Sequence, residues 1–575
     1  MSHPSKFIVR FLGLTLLSLF FCTGIVPAQN TNAAPAPAAP AAPAAPVEKA
    51  NPAGLSPFGI GGDYHTGQNL LPWMPKMADI GIHVMRCCNP DQRDYLDGLG
   101  IKYGGLLYGV PPGDTLDAPG TLPVKDLATW SAFVTKNVKE ANGRAQYWEL
   151  WNEPPNGIGA GQTATDYAKL LVSTYDAAKA ADPNAPVAMC AKSVHVNWLY
   201  QTIQAGGKDH FDAIILHPYE TLGTALDHPG AEPVYMSIVP NVRKMLADQD
   251  PAKVNVPIIF TELGFDAGRG PILQATAVVK AYTMGIAQGV TCIEWFEGMD
   301  GDSGPMGLLT GNLTPRPAYT AMAQMIKYLG QHPTYLGWVL IHDKDYGFVF
   351  QGATNPILVT WAPKGTKDDY DFGIPVTVVD PLTGTTTQTG PVTLTEVPII
   401  VDGAPSDLVA KAQANKGKPL TWGGDYTNAK SVTVTYGASG TLEKGLHTQA
   451  AASIAQDVVD YGGGARAGDL PGGTVFMVDP NFLSYTTTPI DITLVVRRNP
   501  ANDNAGFKLV YESTTGYKDC GWYTVPEGQQ WTTKTFHLTD DQFVNMWGYN
   551  FSLNSDGNTY NKYDIQSVTV TKTGP

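Results

Sequence analysis

The sequence predicts an α/β chain: a (β/α)8 TIM barrel followed by a small antiparallel β domain and a C-terminal β-sandwich. Three observations carry that expectation. Between residues 57 and 330, eight short apolar runs alternate with segments of helical period. Past residue 330 the long helical patterns give way to short strand-like runs separated by turn residues. Two glutamates, Glu153 and Glu262, each stand at the C-terminal end of an apolar run, and a barrel brings all such ends onto one face.

The eight runs fall at 58–61, 83–87, 103–108, 146–151, 187–190, 213–216, 257–261 and 291–295. Helical stretches separate them at 125–142, 165–181, 233–248 and 273–288, and 318–329 closes the series. Eight strand–helix repeats in about 275 residues match the size of a closed barrel. A doubly wound open sheet is the competing architecture. It would need a GxGxxG turn after the first strand, and Gly59-Ile60-Gly61-Gly62 has neither that spacing nor a following Lys-Ser/Thr. Residues 155–163 and 220–231, after the fourth and sixth runs, read as loops at the mouth. The barrel domain is assigned to 51–330.

Residues 331–403 carry Gly347-Phe348-Val349-Phe350, Ile357-Leu358-Val359-Thr360-Trp361 and Val376-Thr377-Val378-Val379, and read as an accessory antiparallel domain. A polar stretch at 404–419 opens the last region, 404–575. This region is rich in Thr, Val, Tyr and Gly at strand spacing and reads as a sandwich. Its rings Trp522, Tyr523, Trp531, Trp547, Tyr549 and Tyr560 suit either a packed core or a carbohydrate-binding surface. Asn554-Ser555-Asp556-Gly557-Asn558 reads as a turn, since the spacing and closing Glu of an EF-hand are missing.

Residues 1–28 have the form of a signal peptide: Lys6 and Arg10, an apolar stretch at 11–25, then Val26-Pro27-Ala28 before Gln29. Residues 29–50 form an Ala/Pro-rich linker. The expectation is a secreted, periplasmic or cell-surface protein with no membrane span after cleavage. Losing residues 1–28 moves the formal net charge from −14 to −16, which excludes bulk attraction to nucleic acid. Cys87, Cys88, Cys190, Cys292 and Cys520 show no CxxC metal spacing. Buried thiols are the simpler reading, and a bridge from Cys87 or Cys88 to Cys190 stays open.

On a barrel the mouth would be lined by Arg86, Asn152, Glu153, His217, Tyr219, Glu262 and Trp295, from five different strands. Two carboxylates on one rim are what acid-assisted cleavage of a glycosidic bond requires. Glu153 is assigned as acid/base and Glu262 as nucleophile. Arg86 would keep Glu262 ionised, Tyr219 would donate to it, and Asn152 would hold the neighbouring sugar hydroxyl. Trp295 would offer a flat apolar face, and His217 stands at the rim. Glu149 reads as a barrel-interior acid, while Glu294 and Glu297 compete with Glu262 for the nucleophile's role. No cofactor or metal is expected.

Trp151-Asn152-Glu153-Pro154 together with Thr261-Glu262-Leu263-Gly264-Phe265 resembles clan A of the glycoside hydrolases, and the chain is most similar to glycoside hydrolase family 39 and related families. The resemblance spans roughly residues 57–400 and includes Gly307-Leu308-Leu309-Thr310 and Thr314-Pro315-Arg316-Pro317-Ala318-Tyr319. It implies a retaining enzyme with Glu153 and Glu262 in the roles given above, Asn152 as the clan's preceding Asn, and His217-Pro218-Tyr219 as its sixth-strand motif. The implied substrate is a polysaccharide or oligosaccharide, cleaved in the manner of a β-xylosidase or an endo-β-glycosidase. A non-catalytic polysaccharide-binding or adhesion protein and a transglycosylase are the alternatives. The sandwich is expected to be separable, so that its deletion would leave activity on small substrates.

Overall fold

Eight parallel strands close into a barrel: β1 (Phe58–Ile60), β2 (Val84–Arg86), β3 (Lys102–Leu107), β4 (Ala145–Leu150), β5 (Val187–Lys192), β6 (Ala213–His217), β7 (Ile258–Leu263) and β8 (Cys292–Trp295). Closure comes from β1, which pairs with β2 on one side and β8 on the other. The computed structural model describes residues 51–62, 69–86, 92–111, 120–156, 158–437, 440–448, 456–458, 463–468, 474–499, 504–556 and 559–574. The expected signal peptide and linker, Cys87, Cys88 and Gly557-Asn558 lie outside them.

Every apolar run corresponds to a strand within two residues at each end. The largest differences are at the C-terminal ends of β5 and β7, which continue to Lys192 and Leu263. At the end of β5 the ladder is carried by polar residues, Lys192 pairing with His217, so apolar patterning ends there before the strand does; at the end of β7 the pair is Leu263 with Trp295.

The helices follow from their caps and apolar faces. Leu127–Ala141 begins at Asp126, whose carboxylate accepts from the Thr129 amide, and stops at left-handed Asn142. Ala164–Ala181 opens with a Thr163/Asp166 capping box. The stretch expected as one helix over 233–248 is two, Glu232–Met236 and Ile238–Gln249, meeting at Ser237. The expected loop at 220–231 contains the helix Tyr219–Asp227, which buries Leu222, Ala225 and Leu226 at helical spacing. Gly223, a weak helix former, masks it in the sequence. Among the described residues no helix is long and apolar enough to cross a membrane.

A six-stranded antiparallel sheet follows, β9 (Thr334–Ile341), β10 (Asp345–Gln351), β11 (Pro356–Trp361), β12 (Asp368–Val379), β13 (Thr386–Leu394) and β14 (Ile399–Asp402), in the order β13-β12-β14-β11-β10-β9. Phe348, Phe350, Val359 and Trp361 join it to the barrel's hydrophobic cluster, and a buried polar contact lies at the same junction. Lys280 pairs with Glu232 at 2.9 Å, with side chains 2% and 1% exposed, and the Trp361 indole donates to the same Glu232 oxygen at 2.8 Å. The polar stretch at 404–419 holds the helix Ser406–Asn415, which buries Leu408 and Ala412 one turn apart. It lies so close to β9 that a Cβ on Gly337 would stand 1.8 Å from the Ala412 carbonyl oxygen.

The remainder is a β-sandwich. Its larger sheet centres on Tyr563–Lys572, which pairs with Ser431–Gly437, Ile490–Arg498 and Gly463–Ala467. The smaller sheet runs Leu446–Thr448, Thr474–Val478, Phe551–Asn554, Gly506–Ser513, Gly516–Thr524. Val434, Ile492, Phe507, Phe551 and Val568 fill the space between them, as alternation along each strand requires. The barrel, the second sheet and the sandwich belong to one compact unit, Val47–Pro575. The sandwich rings divide: Trp522 is 39% exposed and meets Tyr560 edge-on, Trp531 lies under Arg497, and Trp547 packs toward the barrel. Asp556 closes a turn through Asn554 Oδ1. Cys190, Cys292 and Cys520 are free thiols.

Candidate active site

Of the residues expected at the mouth, Arg86, Asn152, Glu153, His217, Tyr219 and Glu262 come together there, around two carboxylates. After β4 the chain bends sharply, with Trp151 and Glu153 at φ of 67° and 52°, a region non-glycine residues seldom occupy. The bend is anchored by the Trp151 amide to the Leu107 carbonyl (2.9 Å) and by the Lys192 amide to the Pro154 carbonyl (2.9 Å). It turns Asn152 and Glu153 into the mouth instead of continuing the strand. Glu262 lies within β7, and its side chain is 16% exposed. The Gly264 that follows is a packing requirement: a Cβ there would stand 2.0 Å from the Phe296 carbonyl oxygen.

Arg86 organises the floor. Its Nε and Nη2 donate to the two oxygens of buried Glu149 at 2.9 and 2.7 Å, Nη2 also reaches Asn152 Oδ1 at 2.7 Å, and Nη1 pairs with Glu262 Oε1. The bidentate fork fixes the guanidinium plane. Tyr219 donates to the other Glu262 oxygen at 3.2 Å. Glu262 is thus held by one cation and one hydroxyl, the contacts expected for Arg86 and Tyr219.

His217, fully buried on β6, is the hub. Its Nδ1 lies 3.1 Å from Glu153 Oε1 and 3.6 Å from Glu262 Oε2, while Nε2 lies 2.9 Å from Thr261 Oγ1 and 3.5 Å from Glu149 Oε1. Glu149, Glu153 and Glu262 against Arg86 and Lys192 leave one negative charge unmatched, which protonation of His217 neutralises. Burial alone would lower the imidazole, but the Glu262 charge and the bonds to Glu149 and Glu153 outweigh it and raise His217 to about 9. The same contacts act in reverse on the acids. Burial favours the neutral form of Glu149, yet Arg86 and His217 bring it down to about 2. Burial likewise opposes ionisation of Glu153, but His217, then Lys192 at 3.7 Å, set it below the usual carboxylate value.

The competing acids sit elsewhere. Glu294 is buried in the barrel, accepts from the Tyr147 hydroxyl at 2.6 Å, and is pushed well above its ordinary value by burial. Glu297 is buried and accepts from the Gly301 amide at 3.0 Å. Trp295 is a correction: it is 0% exposed at the end of β8, so its ring offers no open face to a sugar. Strand-end reasoning placed the residue but not its depth. Two residues of the site were not assigned to it from the sequence. Lys192 ends the apolar run of β5 as Glu262 ends that of β7, and could have been found by the same rule. Trp547, whose ring lies 5.3 Å from Lys192 Nζ, stands among the sandwich rings noted in the sequence, but nothing there signals its place beside the barrel mouth.

One atom each of Glu153, His217 and Glu262 lie within 4.8 Å of one another. A divalent cation uses such donor sets, but here Arg86 on Glu262 and Lys192 beside Glu153 already supply the positive charge.

No family model matches the chain, and no curated protein matches it. Among solved structures the chain is similar to a glycoside hydrolase family 30 endoxylanase from Clostridium papyrosolvens C71 (12% identity, 61% of this chain and 98% of that chain, TM-score 0.44). It is also similar to a glycoside hydrolase family 30 subfamily 8 xylanase from Clostridium acetobutylicum (13%, 61% and 96%, 0.43). A family 51 α-L-arabinofuranosidase from Bifidobacterium longum gives 10%, 61% and 97%, with a TM-score of 0.40.

Proposed function

We propose that this chain is a retaining glycoside hydrolase that cleaves O-glycosidic bonds of a polysaccharide or oligosaccharide outside the cytoplasm. The observation that carries the reading is the approach of the Glu153 and Glu262 carboxylates, with an oxygen of each inside one 4.8 Å cluster. Retaining enzymes hold their carboxyl groups about 5–5.5 Å apart, whereas inverting enzymes separate them by about 6.5–9.5 Å to admit a water. The signal-peptide-like pattern of residues 1–28 supports the location.

In the first step Glu262 attacks the anomeric carbon while the bond to the leaving oxygen breaks. Arg86 and Tyr219 orient the attacking carboxylate. The leaving oxygen takes a proton from Glu153. Electrostatics rest that proton on His217, and the donor form of Glu153 is reached by moving it across the 3.1 Å hydrogen bond between them. In the second step ionised Glu153 takes a proton from water, whose oxygen displaces Glu262 and restores the carboxylate.

The test is product stereochemistry by NMR together with mass spectrometry after a 2-fluoro glycoside. The expected result is retention of configuration and a label on Glu262. Inversion, or a label on another residue, would overturn the reading, and glycan binding without turnover would favour the non-catalytic alternative.

A further inference from the structure

Part of the wall beside Glu153 comes from the far end of the chain. Glu512 is fully buried in the sandwich. Its carboxylate accepts from the amides of Val544 (2.9 Å), Asn545 (3.1 Å) and Met546, and from the Asn550 side chain (2.8 Å). One carboxylate thus clamps 544–546 as a projection from the sandwich.

That projection docks on the barrel at the ends of β5 and β6. The Met546 carbonyl accepts from the Val194 amide at 3.4 Å and from the Ser193 hydroxyl. The Gly548 carbonyl accepts from the Thr224 hydroxyl at 3.1 Å. The half-buried Trp547 ring meets His195 edge-on at 5.0 Å between centroids. Lys192 stands 5.3 Å from the centre of the same ring and 3.7 Å from Glu153 Oε2. The indole and the acid/base carboxylate therefore bracket one ammonium, and the Lys192 and Glu153 side chains keep 24% and 22% of their surface open.

We propose that Trp547 and Lys192 form the binding subsite for the sugar on the leaving-group side of the scissile bond, so that the sandwich completes the catalytic cleft. The inference rests on the glycosidase reading. Glu153 must touch the leaving oxygen, and the sugar carrying that oxygen extends past Glu153, away from Glu262. Lys192 approaches Glu153 Oε2, the oxygen that does not meet His217, and Trp547 stands next to Lys192. An indole offers a rigid apolar plate for the C–H face of a sugar ring, and an ammonium with three donors suits its hydroxyls.

The test compares full-length wild type, Trp547→Ala and Trp547→Phe on two substrates with the same donor sugar. One is a β-1,4-linked xylo-oligosaccharide; the other is the β-xylosyl fluoride, which has no ring on the leaving-group side. The expected result for Trp547→Ala is a loss in kcat/KM at least tenfold greater on the oligosaccharide than on the fluoride, carried mainly by KM, with Trp547→Phe recovering part of it. Equal losses on both substrates, or no loss, would overturn the subsite while leaving the glycosidase reading intact. A wild type that cleaves neither substrate would overturn both.

Discussion

Replacing His217 by Asn tests the charge arrangement at the mouth. Asn places an amide where Nδ1 now meets Glu153 but carries no proton to give. In the wild type the His217–Glu153 pair keeps its proton until His217 titrates at about 9, so kcat/KM should hold to that pH and then fall. In the variant the proton must rest on Glu153 itself. Its most effective counter-charge is gone, and burial, the largest influence on Glu153, should move its carboxyl up. The variant's kcat/KM should therefore begin to fall well below the pH at which the wild type's does, measured on a substrate with a poor leaving group. Stability gives a second readout. The folded pKa of His217 lies above the unfolded value, so its contribution is fully present below about 6.5 and fades as pH rises through 9. It amounts to roughly 3 kcal/mol, seen as a decline of wild-type stability between pH 6.5 and 9 that the variant lacks. An alkaline limb near 9 in both proteins would refute the placement of the proton on His217.

Three further changes probe separate parts of the structure. Glu153→Ala should cost about 10²–10⁴-fold on poor leaving groups and far less on activated ones; equal losses measured across a leaving-group series would refute the acid role. Arg86→Met should strand buried Glu149 without its fork of hydrogen bonds and cost about 3–5 kcal/mol in urea unfolding; a loss below 1 kcal/mol would show that Glu149 is neutral. Lys280→Met should cost a similar 3–5 kcal/mol by leaving Glu232 buried beneath Trp361 without its cation, and an unchanged unfolding midpoint would show that Glu232 does not depend on Lys280 for its charge balance.

Much of this was legible in the chain because strands and helices leave periodic signatures. The eight barrel strands could be read from apolar runs, and the site could be read from the polar residues that end them: Arg86, Glu153, His217, Tyr219 and Glu262. Those residues signal themselves because a strand buried on both faces carries most of its polarity where it reaches the mouth, and interior acids such as Glu149 and Glu294 need buried donors to hold them. The same rule failed for Trp295, since an apolar residue at a strand end does not announce whether it faces the pocket or the core. It also missed the helix Tyr219–Asp227, where an internal glycine blurred the period.

The sequence by itself determined the barrel, the order of its elements and the pair of glutamates. Tertiary structure alone decided that His217 lies among three carboxylates, which raises the imidazole and lowers the Glu153 carboxyl. It also decided that the sandwich, which reads as a separable module, sends Trp547 to the side of Glu153. Periodicity encodes which face of an element is buried, a local property. Proton placement and the docking of one domain on another depend on charges and surfaces brought together from hundreds of residues apart, and no local pattern records them.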